Sequence, residues 1–223
     1  MTLLVDTPTA GLPQIQRAAL YVLRDTLNIA LGEIETAWAA SDEEFANDFD
    51  REYTPIVLER VALIDFHEGF RPSLIRSPKE RIPNVSVMCY RATPGAASAL
   101  NDHMDIYNVP LVIETMLKAS AAEGEEILER RAHRMVEAIM ACMSRNQTLG
   151  GIVSGLSTNP TSNLTEMFPR KDSGKGNTRT AYGQEWLWQG GRIEYTVRKE
   201  AATPSHGSAF RSVQHDDLGI DQV

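Results

Sequence analysis

The chain has 223 residues, a length that predicts one large domain or one domain with extensions. Apolar residues make up 42% and charged residues 23%, the ordinary range for a chain that builds a sizeable core. Its 30 acidic residues outnumber 22 basic ones for a net charge of -8, which argues against a surface made to grip duplex DNA, because that needs a clustered basic footprint.

Residues 1–12 read as a loose arm. The opening MTLLVDTPTA has neither a basic start nor a long apolar run, so neither export nor membrane anchoring is expected. Pro13 suits a first helical turn, where its missing N–H costs nothing. Ile15, Ala19, Val22, Ala30, Ile34 and Ala37 approximate one stripe, with Leu23 and Leu27 beside it, which predicts a helix over about 13–40. The acidic run over 41–50 reads as a solvated turn or a short second helix. Short apolar runs at 56–58 and 61–66 are then broken by charge, and Pro72 and Pro78 punctuate a connection.

Over 85–91, Val85, Val87 and Cys89 alternate with Ser86, Met88 and Tyr90, which predicts a strand stopped by Pro94-Gly95. Over 103–118, Tyr107, Val109, Leu111, Ile113 and Leu117 share one face of a longer strand, apolar on that side. Pro110 inside it predicts an edge position or a bulge, because proline cannot donate to a ladder. Residues 123–145 predict an amphipathic helix. Ile127, Leu128, Ala132, Met135, Val136, Ile139, Cys142 and Met143 recur three and four apart, and Glu125, Glu129, Arg130, Arg134 and Glu137 take the far side. Gly150-Gly151 ends that unit, and Ile152-Val153 begins another strand. The stretch 158–182 is polar throughout and too long for a passive turn, so it reads as a long loop. In the last strand, over 184–199, Ile193, Tyr195 and Val197 alternate with Arg192, Glu194, Thr196 and Arg198. Residues 201–223 form a polar tail.

The expected class is α+β: a mixed or antiparallel sheet backed by an amphipathic helix, with an additional N-terminal helix. The expected organisation is an arm and helix over 1–50, an α+β domain over 51–200 containing the loop 158–182, and the tail.

Chemistry-bearing patterns are sparse. Cys89 and Cys142 each fall in an apolar element and read as buried free thiols of a reducing compartment. The histidines, His67, His103, His133, His206 and His215, show no metal-ligand spacing, and the helix pattern of zinc proteases fails because Arg71 stands four residues after His67. The run Ser173-Gly174-Lys175-Gly176-Asn177-Thr178 departs from a phosphate loop, since Gly176 follows the lysine where Ser or Thr is needed. Ser154-Gly155 lacks the flanking glycine of a nucleophile elbow. No catalytic residue, metal site or cofactor is expected, and no membrane contact. Arg170, Lys171, Lys175 and Arg179, opposed only by Asp172, reverse the charge of the chain locally. They read either as a solvated loop or as an assembly contact that docks on an acidic neighbouring surface.

Three segments carry a resemblance: Arg81-Ile82-Pro83-Asn84-Val85-Ser86-Val87, the helix leading into Gly150-Gly151-Ile152-Val153, and Trp188-Gln189-Gly190-Gly191-Arg192-Ile193-Glu194-Tyr195-Thr196-Val197. In element order and strand style, over roughly residues 55–200, the chain resembles the tail-terminator or tail-completion proteins in the neck of long-tailed bacteriophages. The resemblance implies a non-enzymatic virion protein, assembled in the host cytoplasm, whose sheet-and-helix domain closes as a hexameric ring. Its implied partners are copies of itself, the tail tube protein and the head–tail connector or adaptor proteins. The ring would end tube polymerisation and join tail to head, with genome DNA passing the lumen without sequence-specific binding. The N-terminal helix and the C-terminal tail are long for that family. The other readings are a head-side adaptor ring of the same neck, or a small-molecule enzyme or binding protein with a cleft that no motif marks.

Overall fold

The computed structural model describes residues 12–49, 52–53, 55–69, 82–94, 104–120, 123–165, 168–171 and 185–202. Helix α1 spans Leu12–Asp48. Ile15, Ala19, Leu23, Leu27 and Leu31 are completely buried, and their four-residue spacing keeps them on one face of a 3.6-residue repeat. Leu23 and Leu27 therefore form the centre of the stripe rather than its margin, and Ala37 is exposed. The acidic stretch after residue 40 continues the same helix instead of turning. Ala46 is buried there, and Asp42 is paired with Arg134, so tertiary contacts extend the helix past the end of its apolar pattern.

Residues 55–61 return along α1 as a strap. The Asn28 side chain donates to the Val61 carbonyl at 2.9 Å and accepts from the Val61 amide at 3.0 Å. Two turns on, the Glu35 carboxylate accepts from the Leu58 amide and from the Arg60 guanidinium. Burial pushes the Glu35 carboxyl up, but Arg60 and the Leu58 amide outweigh it and hold the group below its ordinary value. A depressed folded value gives stability that is present above the ordinary carboxylate range and lost as the pH falls through it. Acidification should therefore raise hydrogen exchange at the Leu58 amide before it affects core amides of α1. Equal protection of both down to the acid transition would refute this clasp.

A short 3-10 turn, Leu63–Asp65, leads into a sheet that has eight strands among the described residues. These are β1 (Phe66–Glu68), β2 (Asn84–Cys89), β3 (Thr93–Pro94), β4 (Met104–Ser120), β5 (Gly155–Leu156), β6 (Thr161–Leu164), β7 (Phe168–Lys171) and β8 (Glu185–Ala202). β4 and β8 pair antiparallel throughout, from Met104 opposite Ala202 to Ser120 opposite Trp186. β2 pairs antiparallel with β4 and carries β1 outside it in parallel. Along the other edge of β8 come β5, β6 and β7 in succession. Helix α2, Glu125–Arg145, lies on one face of this sheet, against β4 and β8, while α1 lies against β1 and β2. The fold is thus α+β, a mixed sheet with an N-terminal helix, and the stripe of α1 belongs to the same core as α2 and the sheet.

Pro110 is not on an edge strand. It stands opposite Thr196, and on its other side it falls between Leu111, where β2 ends, and Asn108, where β3 begins. Three residues lie between Cys89 and Thr93 but only two between Asn108 and Leu111, so one extra residue makes a bulge where proline has no ladder to break.

The helix-facing side of the sheet carries Val85, Val87, Val109, Leu111, Ile113, Ile193 and Val197, all buried in the core. The expected polar or mixed face of β4 is also shielded at its centre, where Val112 is 0% and Met116 8% exposed. Met88 and Trp188 are buried on that same face by strand parity.

Two further expectations need correction. Ile152-Val153 forms a turn, because Leu149, Gly150 and Gly151 have successive positive φ values of 47°, 70° and 87°, and pairing with β8 resumes only at Gly155. The stretch 158–182 is not a loop throughout, since β6 and β7 lie within it. Thr161, Ser162 and Asn163 remain exposed, so backbone pairing rather than apolar burial holds β6, and hydropathy carries no trace of it.

Gly191 brings α2 close to β8. A Cβ there would collide with Val136 Cγ2 on the helix. Gly191→Ala should cost about 1–3 kcal/mol in urea unfolding, the usual cost of overfilling a core. An unchanged midpoint would mean that α2 and β8 separate freely.

Candidate functional site

The α1–α2 seam gathers charge and aromatic surface in one place. The two helices run antiparallel, tied by Arg145 to Glu33 at 2.7 Å, Trp38 Nε1 to Glu137 at 2.9 Å, and Arg134 to Asp42. Position 134 was expected on the solvent side of α2. It is 6% exposed instead, because Asp42 neutralises its guanidinium and the Trp38 ring lies 5.5 Å from it. One turn earlier Arg130 lies 5.5 Å from the Phe45 ring and pairs with Glu126 at 2.6 Å.

Around this seam Trp38, Phe45 and Phe49 are 39%, 41% and 60% exposed, and the Phe45 and Phe49 rings sit 4.6 Å apart. Two shallow clefts meet at Asp42 and Phe45. One is walled by Glu52, Tyr53 and the strap residue Ile56, the other by Trp38, His133 and Glu137. Glu43, Glu44, Asp48, Glu125, Glu126 and Glu129 stand exposed on the same helix ends. By helix phase Glu43 and Glu44 lie away from the ring stripe, so the carboxylates beside the rings are Asp42, Glu126 and Glu137. The sequence did hold a signal for that stripe: Trp38, Asp42, Phe45 and Phe49 follow i, i+4, i+7 and i+11 spacing, which is one face of a helix.

Reactive groups show a different picture. Burial pushes the Cys89 thiol up to about 12 and raises Cys142 as well, so both stay protonated at neutral pH. His67 is half-buried in β1, and His133 is 66% exposed, 3.9 Å from Glu129. Among the described residues no three His, Cys, Asp or Glu side chains are placed to hold a metal ion. No helix among them is long and apolar enough to cross a membrane. The Glu123 carboxyl is pushed up by burial, yet ends below its ordinary value through the Ser120 amide and hydroxyl and Arg131. It secures the turn between β4 and α2.

Of the four basic residues singled out in the sequence, Arg170 and Lys171 end β7, opposite Trp186 and Glu185. Lys175 and Arg179, like His103, His206 and His215, lie outside the described residues. Through Trp186, which also stands opposite Ser120, the end of β7 lies at the same end of the sheet as the turn that leads into α2.

The class these features define is architectural, an α+β protein with two antiparallel helices on one face of a mixed sheet. No protein-family model matches the chain, and no curated protein matches it either.

Proposed function

We propose that the protein is a virion structural protein, the tail terminator at the head–tail interface of a long-tailed bacteriophage. In this reading six copies form a ring that caps the tail tube and joins it to the head connector, after assembly in the host cytoplasm. The reading is carried by the apolar surface that a single copy leaves in water. Val57 on the strap is 60% exposed, Leu63 and Ile64 on the 3-10 turn that follows it are 71% and 68% exposed, and Ile29, next to the Asn28 clasp beneath the strap, is 64% exposed. Isolated exposed apolar side chains are ordinary, but several large ones on one strap, the turn after it and its helix suit a surface covered by another subunit. The order helix, strand, long strand, amphipathic helix, long strand supports the same reading.

The test is to purify virions and search them for this chain by mass spectrometry, then replace residues 172–179 by a short Gly-Ser link. Thermal stability should barely change, because loop length alters folding free energy weakly. Particles should carry tails of irregular length or tails unjoined to heads. A head-side adaptor would instead leave normal tails and defective heads. Normal infectious particles, or a chain absent from virions, would sink the proposal.

A further inference from the structure

We infer that the cleft between the second half of α2 and the β5–β6 edge is a binding site for a small uncharged molecule that joins an apolar body to a carbonyl group. The cleft arises from the strand pairing. β5 leaves β8 after Leu156, opposite Val197, and β6 joins it at Thr161, opposite Glu194. Four residues of the edge thus pass two of β8, and the surplus, Thr158 and Asn159, is exposed. Tyr195 therefore has no ladder partner on that side among the described residues. It lines a cleft of about 320 Å³ together with Met140 and Met143 of α2, Leu156 and Pro160. That volume stands at the small end of ligand pockets and suits one ring with a short substituent.

The phenol sets the chemistry of the ligand. Tyr195 is 3% exposed, and its hydroxyl keeps accessible surface while no described residue accepts a hydrogen bond from it. Burial pushes its pKa up to about 12, so at neutral pH it stays protonated and is a donor. A donor held among methionine and leucine side chains gains most from an acceptor that arrives with apolar surface around it, because water competes poorly there. That acceptor is uncharged. Glu137 stands at the exposed side of the cleft, and none of the described lining residues is basic. A carboxylate or phosphate would meet a like charge and no counter-ion. The two methionines have flexible thioether chains that mould to an apolar body. The inference stands apart from the assembly reading, since no lining residue belongs to the strap or the 3-10 turn.

Acetophenone, added to the full-length protein with isotope-labelled methionine methyl groups, tests this. In NMR spectra the Met140 and Met143 methyl signals should shift saturably, with a dissociation constant in the millimolar range expected for so small a ligand. The signals of Met88 and Met116, on the other face of the sheet, should stay in place. Ethylbenzene keeps the ring but lacks the carbonyl, and it should bind about two- to tenfold more weakly, the contribution of one neutral hydrogen bond. Tyr195→Phe removes only a hydroxyl without a described partner, so circular dichroism should show it folded, and it should bind both ligands equally. No saturable shift up to the solubility of acetophenone would overturn the site, as would shifts of all four methionines together. Equal binding of the two ligands by the unaltered protein, or an undiminished preference in Tyr195→Phe, would overturn the role of the phenol and with it the assignment. N-acetyl-leucine methylamide offers the same two features as a stretch of peptide. If it binds more tightly than acetophenone, the cleft is a socket for a protein segment and the small-molecule assignment falls.

Discussion

Ile139→Ala should lower the unfolding free energy by about 2–5 kcal/mol, with an unchanged dependence on urea concentration. Ile139 is completely buried in the α2 stripe, within the cluster that contains Val109, Leu111 and Ile113 of β4 and Ile193 of β8. Truncation removes the transfer free energy of the lost methyl groups. It also leaves a cavity, because neighbours on a paired strand and a helix held at both ends collapse into it only partly. In a chain of this size each kcal/mol moves the melting midpoint by about 2–4 °C, so the expected shift is roughly 4–20 °C. His133→Ala, on the exposed side of the same helix, should change stability by less than about 0.5 kcal/mol. Similar losses at both positions would mean that α2 presents no defined face to the sheet.

The reason α2 was legible from sequence is visible in that contrast. A helix buried along one stripe and wet along the other must alternate with a period of 3.6, and so its pattern survives in the sequence. β8 was legible for the same reason, with Ile193, Tyr195 and Val197 buried and Glu194, Thr196 and Arg198 exposed. β6 left no such trace: its exposed Thr161, Ser162 and Asn163 contribute nothing to hydropathy, and pairing with residues 192–194 of β8 holds it. β4 blurred its own pattern because Val112 and Met116 are buried on the face opposite the helices. The end of α1 misled because a turn rich in carboxylates reads as solvated, while Asp42 in fact meets a cation from another helix. That partner lies 92 positions away, and nothing local announces it. The candidate face was half legible. Its aromatic spacing is plain in the chain, but only the antiparallel pairing of α1 with α2 shows that the carboxylates of both helices surround the same rings.

Asp42→Ala should be the most damaging single change on that seam, costing about 3–5 kcal/mol, although it removes a side chain from a segment that looks like surface. The cause is the group left behind. The Arg134 side chain is only 7% exposed, and Asp42 is its ion-pair partner among the described residues. Without that carboxylate the guanidinium keeps its charge, has lost most of its water, and is left with the Trp38 ring 5.5 Å away and the longer-range attraction of Glu35. Arg134→Met alone should cost less. The Asp42 it strands is 13% exposed and still has Arg130 at 3.8 Å, and the methionine keeps much of the arginine stem's apolar contact. Joining both changes, Asp42→Ala with Arg134→Met, removes the two charges together and should recover most of the loss. The double variant should thus be more stable than the Asp42→Ala protein, and the coupling energy is that recovered stability plus the cost of Arg134→Met alone. Urea unfolding of the four proteins in this cycle provides the measurement. Strict additivity would show that the pair contributes no mutual attraction and that the end of α1 is held by Ala46 and the aromatic rings alone.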